Sequence, residues 1–180
     1  MSYINLIDKT SPGISGLLQT YQHTAEPLSQ LAEVLLTRDT PHFSKMEREL
    51  VASYVSFLND CVFCSESHGA AADYHAQKEV AHNVWENPFA DNLSEKVQHF
   101  LALAKKVQGA YKSITADEIE NLRSFKLTDE EINDLILISS AFCMYNRYVE
   151  ALGTNCPPRK DPAYKMMGEM LGTQGYVRQR

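Results

Sequence analysis

Apolar runs of membrane-spanning length are missing from the sequence: none approaches the roughly 18 residues that a transmembrane helix needs. Residues 1–5 also lack the basic and apolar regions that open a secretory signal. An excess of positive charge is missing as well, since the formal net charge is −6, which argues against nucleic acid as a partner. We therefore expect a cytoplasmic protein with neither a membrane nor a nucleic-acid partner, in which thiols stay reduced.

Signals for β-strands are also nearly absent, whereas helix caps recur along the chain. A Ser or Thr followed three residues later by Glu forms a capping box, which marks a helix start. Three such pairs occur: Ser44/Glu47, Thr115/Glu118 and Thr128/Glu131. With Pro27, which suits the first turn of a helix, the pattern predicts helices within 11–24 and over about 27–35, 44–58, 61–85, 94–108, 115–124, 128–152 and 161–171. We expect an all-α protein whose polar tail, residues 172–180, is loose.

One stretch, in two consecutive predicted helices, concentrates reactive side chains: Glu49-(x11)-Cys61-x-x-Cys64-(x3)-His68. The spacings from Cys61 to Cys64 and from Cys64 to His68 put all three side chains on one helix face. Asp60 is a suitable N-cap, which would place both thiols in the first turn, where the helix dipole stabilises a thiolate. A second thiol three residues away can form a disulfide with the first. The sequence therefore contains the minimal equipment for dithiol redox chemistry.

Among the reactions open to a dithiol, peroxide reduction would use all of these groups. A thiolate attacks one peroxide oxygen, and an acid protonates the departing hydroxide or alkoxide. His68, one turn after Cys64, can accept the thiol proton, and Glu49 can orient the imidazole and balance its charge. The resulting sulfenic acid condenses with the neighbouring thiol, and an external dithiol must reduce the disulfide.

Two other interpretations of the motif remain open. A zinc site would need four ligands, and this run offers three close together, with Glu49 as a possible fourth. A core helix could also simply contain two buried thiols. The other two cysteines have no such context: Cys143 is expected to be a packing residue, and Cys156 lies in a loop with no base near it in sequence. We expect neither a metal nor a cofactor.

The chain also contains a weak internal repeat. A shift of 84 residues aligns Ser44 and Glu47 with Thr128 and Glu131. The same shift aligns the reactive residues with residues that cannot perform the same chemistry. The aligned pairs are Glu49/Asn133, Cys61/Tyr145, Cys64/Tyr148 and His68/Leu152. This raises the hypothesis of two related helical halves, with an active site in the first half alone.

The motif resembles the alkylhydroperoxidase D core of the carboxymuconolactone decarboxylase-like superfamily. Residues 47–52 and 59–64 are similar to its peroxidase-related branch in particular. The resemblance implies one all-α domain over 1–180, with the family's core at about 28–108 and a helical second half at 113–172. It also implies a homo-oligomer, as a trimer or hexamer. Some relatives carry a His directly before the second Cys of the motif, where this chain has Phe63.

The resemblance further implies an antioxidant peroxidase that acts on a hydroperoxide. Cys64 would be the peroxidatic cysteine, Cys61 the proton donor and resolving thiol, and Glu49 with His68 the proton relay. The implied reductant is an external dithiol, such as a lipoyl domain, a thioredoxin-like protein or a small thiol. Two alternatives are a non-redox lyase or decarboxylase on the same fold and a redox-sensing binding protein.

Overall fold

The computed structural model of the protein describes residues 2–90 and 93–177, and the regular structure in these two ranges is entirely helical. Its elements are α1 (Gly13–Thr20), α2 (Gln22–Leu36), α3 (Lys45–Leu58), α4 (Val62–Ala76), α5 (Ala81–Glu86), α6 (Glu95–Gly109), a short 3-10 helix (Tyr111–Ser113), α7 (Ala116–Ser124), α8 (Asp129–Ala151) and α9 (Pro162–Gln174). The expected all-α class is confirmed. None of the described helices combines the length and apolar composition needed to cross a bilayer.

The three predicted capping boxes all form. Ser44, Thr115 and Thr128 each accept a hydrogen bond from the backbone N–H three residues on, and the Glu at that position accepts one from the cap residue in return. These reciprocal bonds satisfy backbone donors that the first helical turn leaves free. The starts of α3, α7 and α8 are therefore determined by residues that are neighbours in sequence.

Several predicted helix boundaries are wrong, two of them in α2 and α4. Pro27 lies inside α2, because this helix already begins at Gln22. A proline removes one hydrogen bond from a helix, and the apolar packing of Leu35 and Leu36 compensates for that loss. The helix predicted over 61–85 is also interrupted after Ala76, since Gln77 adopts a left-handed conformation with φ 54°.

The hypothesis of two related halves is also wrong. In the first segment, α3 and α4 are separated by a turn at Asn59 and Asp60. The positions that the shift aligns with this turn, Cys143 and Met144, lie in the middle of α8, which continues without a break from Asp129 to Ala151. The left-handed conformation of Asp60 ends the first helix, and no residue of α8 adopts it.

α3 is the central helix and positions the reactive residues. It packs against α2, α4, α5, α6 and α8, while α4 lies between α3 and α9. A fully buried arginine, Arg48, fixes α3 from its other face by pairing with Asp134 of α8 at 2.9 Å and donating to the Leu35 carbonyl at 2.8 Å. The division into a core over 28–108 and a second half over 113–172 stays a prediction.

The expected loose tail is wrong for residues 172–177. α9 extends to Gln174 and packs closely on α4, because glycines at the contact leave room for the neighbouring chain. A Cβ on Gly168 would lie 2.4 Å from the Ala70 carbonyl carbon, and one on Gly172 would lie 2.1 Å from the Tyr74 ring. α9 is therefore packed on the helix that carries Cys64 and His68. Residues 178–180 lie outside the described part of the chain.

Candidate active site

The turn between α3 and α4 sets the position of both motif thiols. Asp60 was predicted to be the N-cap of α4, and that prediction is wrong. It adopts a left-handed conformation, with φ 56°, and lies one residue before the N-cap. Cys61 occupies that position instead, and its N–H donates to the Ser56 carbonyl at 3.0 Å, which closes the end of α3. Aspartate tolerates this backbone region better than most residues. Cys64 is still in the first turn of α4, as predicted.

The two thiols form a buried pair. Cys61 is 0 % exposed and Cys64 is 4 % exposed, and neither is in a disulfide. A hydrogen bond to the Cys64 thiol, together with burial and the Glu150 side chain of α8, raises the pKa of Cys61 well above its ordinary range. Cys61 therefore keeps its proton when the pair ionises and can stabilise a thiolate on Cys64. The pair is covered by a small apolar cluster, formed by Phe63, Val149 and Tyr164 with Ile14, Ala70 and Met167.

Glu49 and His68 form the second pair, between α3 and α4. Their contact is a 2.8 Å hydrogen bond from Nδ1 of His68 to the Glu49 carboxylate. Glu49 is 1 % exposed, and the edge of the imidazole contacts the Phe142 ring with centroids 4.5 Å apart. A carboxylate only accepts hydrogen bonds, so the imidazole proton lies on Nδ1 and leaves the lone pair of Nε2 available as a base.

The structure brings the two thiols together, and it brings Glu49 and His68 together, but it does not join the thiol pair directly to the Glu49–His68 pair. Across residues 2–90 and 93–177, no hydrogen bond links either thiol to Glu49 or His68. His68 follows Cys64 by four residues, a rise of about 6 Å along a helix. A water molecule or a peroxide oxygen fits such a gap and could carry a proton across it.

Tyr176 is a site residue that the sequence reasoning missed. Its hydroxyl donates to the Glu49 carboxylate and lies 3.2 Å from Nδ1 of His68. Its ring is stacked on the imidazole, with centroids 5.7 Å apart and planes at 10°. No local pattern could have placed it here, because it follows His68 by 108 residues in a polar tail.

The remaining cysteines lie at the edge of this arrangement. Cys156 is exposed, and its Sγ lies 3.7 Å from the Tyr164 hydroxyl, which belongs to the cluster over the dithiol. The residue as a whole is exposed, but partial burial of its thiol group is the main cause that raises the pKa of Cys156. Cys143 is partly buried against the main core and accepts a hydrogen bond from Asn59 at 3.7 Å. Its surroundings fit the packing role predicted for it.

A polar cavity of about 300 Å³ reaches Glu49 from the side of the tail. Its wall includes Glu33, Lys45, Glu49 and His75, along with residues 171–175. Neither thiol contributes to this wall, so the cavity reaches Glu49 and not the dithiol. Among the described residues, no group of three or more His, Cys, Asp or Glu side chains could hold a metal ion.

The chain matches no protein-family model and none of the curated proteins at a significant level, but it is similar to solved structures. An uncharacterised peroxidase-related protein from Ralstonia eutropha JMP134, described as an alkylhydroperoxidase AhpD core, is 25 % identical with a TM-score of 0.76, over 87 % of this chain and 80 % of that one. A peroxidase-related protein from Silicibacter sp. TM1040 is 24 % identical with a TM-score of 0.76, over 86 % and 78 %.

A third solved structure is more distant in sequence. It is an Agrobacterium tumefaciens protein of unknown function, provisionally assigned to antioxidant defence as AhpD. It is 17 % identical with a TM-score of 0.68, over 88 % of this chain and 100 % of that one. Together the three structures confirm the resemblance at the level of the fold: the chain is an all-helical protein with the alkylhydroperoxidase D-like fold.

Proposed function

We propose that the protein is an antioxidant thiol peroxidase that reduces hydroperoxides with Cys61 and Cys64. One observation supports this most strongly: two thiols in contact at the start of α4 are followed, one turn later, by an imidazole paired to a buried carboxylate. A nucleophile, a base and a group that orients the base recur in unrelated covalent catalysts. The fold shared with peroxidase-related proteins is consistent with this chemistry.

In the first step His68 accepts the proton of Cys64, and the thiolate attacks one oxygen of the peroxide. The O–O bond breaks, Cys64 is oxidised to a sulfenic acid, and the departing alkoxide takes the proton of Cys61. The Cys61 thiolate then attacks the sulfur of Cys64. An S–S bond forms, the S–O bond breaks, and the departing hydroxide takes the proton held on His68. The sum is one peroxide and two thiols converted into one alcohol, one water and one disulfide.

The geometry favours this division of roles over its reverse. The two thiols are neighbours at the start of α4, and their roles depend on which sulfur keeps its proton when the other loses it. Cys61 is completely buried and faces the Glu150 carboxylate, both of which disfavour a negative charge on its sulfur. Cys64 lies in the first turn of α4, where the helix dipole favours a thiolate. We therefore assign attack to Cys64 and proton donation and resolution to Cys61.

The proposed catalytic cycle requires an external reductant. A dithiol attacks the Cys61–Cys64 disulfide, leaves as a disulfide itself and restores both thiols.

We also propose that the protein forms a homo-oligomer. Several apolar side chains remain exposed in the monomer, as an interface between copies would require; they include Ile7, Val34, Leu137, Met144 and Met166. A trimer or hexamer and a cytoplasmic location stay predictions.

The test is turnover of hydrogen peroxide and an organic hydroperoxide with an excess of a small dithiol. A Cys64→Ser variant should lose activity by at least about a hundredfold, because a hydroxyl cannot form the thiolate that attacks the peroxide. Cys143→Ser is the matched control, since Cys143 is a partly buried thiol outside the pair, and it should keep the parent rate. Full activity of Cys64→Ser would contradict the assigned roles.

One observation favours a second function, a redox-sensing module that oxidises once and turns over little. Both thiols are nearly inaccessible, which slows their reaction with peroxide and, once they are oxidised, with a bulky reductant. Stoichiometric oxidation of the pair, with negligible turnover for every dithiol tried, would favour that function over the peroxidase.

A further inference from the structure

Hydrogen bonds to the backbone after α9 hold Tyr176 beside Glu49 and His68. Gly175 turns the chain with φ 73°, a conformation that favours glycine. The Glu33 carboxylate of α2 then accepts the backbone N–H of Tyr176 at 2.5 Å and that of Val177 at 3.2 Å. Together with the close packing of α9 on α4, these bonds hold the tyrosine at a defined position over the site.

At that position Tyr176 contacts both members of the second pair. Its hydroxyl donates to one Glu49 oxygen while Nδ1 of His68 donates to the other. The near-parallel stacking of its ring on the imidazole restrains the ring plane of His68. Burial, and then the neighbouring Glu49 carboxylate, raise the pKa of Tyr176 well above its ordinary value. The phenol therefore remains a donor at neutral pH.

A carboxylate shared between two donors stabilises a positive imidazolium less than one that serves the imidazole alone. The phenol thus makes it easier for His68 to release the proton taken from Cys64. The mechanism needs that release, because the departing hydroxide takes its proton from His68. The stacked ring supplies a separate benefit, since it restrains the plane of the imidazole.

We propose that Tyr176 is a positioning residue for the Glu49–His68 pair, with its ring fixing the imidazole and its hydroxyl weakening the hold of the carboxylate on the imidazole proton. The catalytic consequence rests on the proposed peroxidase function; the effect on the imidazole does not. Other charged groups near Glu49 are Glu33 of α2, Lys45 of α3 and His75 of α4, while α8 contributes the apolar Phe142.

The experiment follows the His68 ring by NMR while the pH is varied, in the full chain with His75→Gln as the background so that this neighbour does not titrate. Tyr176→Phe keeps the ring and removes the hydroxyl. Its imidazole should take up a proton at a pH higher by about half a unit or more, a threefold or larger change in the equilibrium. In single-turnover oxidation by peroxide, the acidic limb of the rate profile should move in the same direction.

Tyr145→Phe is the matched control. Its hydroxyl is also a partly buried donor, to the Leu28 carbonyl at 2.8 Å and not to Glu49 or His68. Equal titration curves for the parent, Tyr176→Phe and Tyr145→Phe would overturn the proposal and leave Tyr176 a packing residue. A shift in Tyr176→Phe alone supports it, even if the parent reduces no peroxide; that result would reject the proposed function and not the positioning role.

Discussion

Replacement of Glu49 by Gln tests whether the buried carboxylate drives thiol ionisation. Glutamine has the same shape and can still accept the hydrogen bond of Nδ1 of His68 through its amide oxygen. It carries no charge, however, so the imidazolium that forms when Cys64 loses its proton has no buried counter-ion. We expect Glu49→Gln to slow the attack of Cys64 on peroxide while the fold remains intact.

The expected size of the effect follows from the contact between the pair. The hydrogen-bonded atoms are 2.8 Å apart and Glu49 is 1 % exposed, so solvent screens the charges little. Unit charges about 4 Å apart attract by roughly 4 kcal/mol at an effective dielectric constant of about 20. Since each 1.4 kcal/mol changes a rate about tenfold, loss of most of this attraction predicts a rate about 10² to 10³ times lower.

The assay is single-turnover oxidation of the reduced protein by excess hydroperoxide, quenched by acid and followed as loss of free thiol. Glu47→Gln is the matched control, because Glu47 is another buried carboxylate on α3 that pairs with Lys96 at 2.6 Å and caps the helix. That variant should lose stability but react at the parent rate. Equal rates for Glu49→Gln and the parent would refute the assignment of Glu49 to the relay.

Two further predictions concern stability. Arg48→Met leaves Asp134 buried without its main counter-ion, and should lower the free energy of unfolding in urea by about 3 kcal/mol or more; an unchanged urea midpoint would contradict this. For Glu131, burial raises the pKa, but hydrogen bonds from the backbone of Thr128 and His42 outweigh it and lower the pKa from 4.5 to about 2. Its contribution, up to about 3 kcal/mol, is therefore present above pH 4.5 and is lost as the pH falls towards 2. Glu131→Gln should flatten that part of the stability profile, and an unaltered profile would be evidence against it.

The features that were predicted correctly from the sequence depend on residues that are close to each other along the chain. The capping boxes at Ser44, Thr115 and Thr128 join residues three apart, so their helix starts depend on little else. The spacing of Cys64 and His68 on one helix is likewise a local property. The all-α class follows from such signals, because each helix start is encoded within a few residues of itself.

Boundaries that depend on distant contacts were predicted less well. Asp60 is a good N-cap by type, but the connection between α3 and α4 uses it as a left-handed residue and places Cys61 at the cap. Pro27 is accommodated inside α2 because the helix has an apolar face to bury. In both places tertiary structure overrides a local preference.

No sequence pattern indicated the candidate site residues that lie far from the motif along the chain. Glu150 reaches Cys61 from the last turn of α8, and Tyr176 reaches Glu49 from the tail across 127 positions. Sequence patterns report periodicity and short spacings, so they could not find either residue. The polar composition of residues 172–180 even suggested the opposite, although Glu33 and the glycines of α9 hold its first part in place.

The most direct test of the central claim is mass spectrometry with peptide mapping of the fully reduced protein after one equivalent of hydroperoxide. Accessibility alone would direct oxidation to Cys156, the exposed thiol, and spare Cys61 and Cys64, which are buried. The proposed mechanism predicts the reverse: a rapid Cys61–Cys64 disulfide that a dithiol reduces again. No such disulfide, or oxidation of Cys143 or Cys156 at an equal rate, would contradict it.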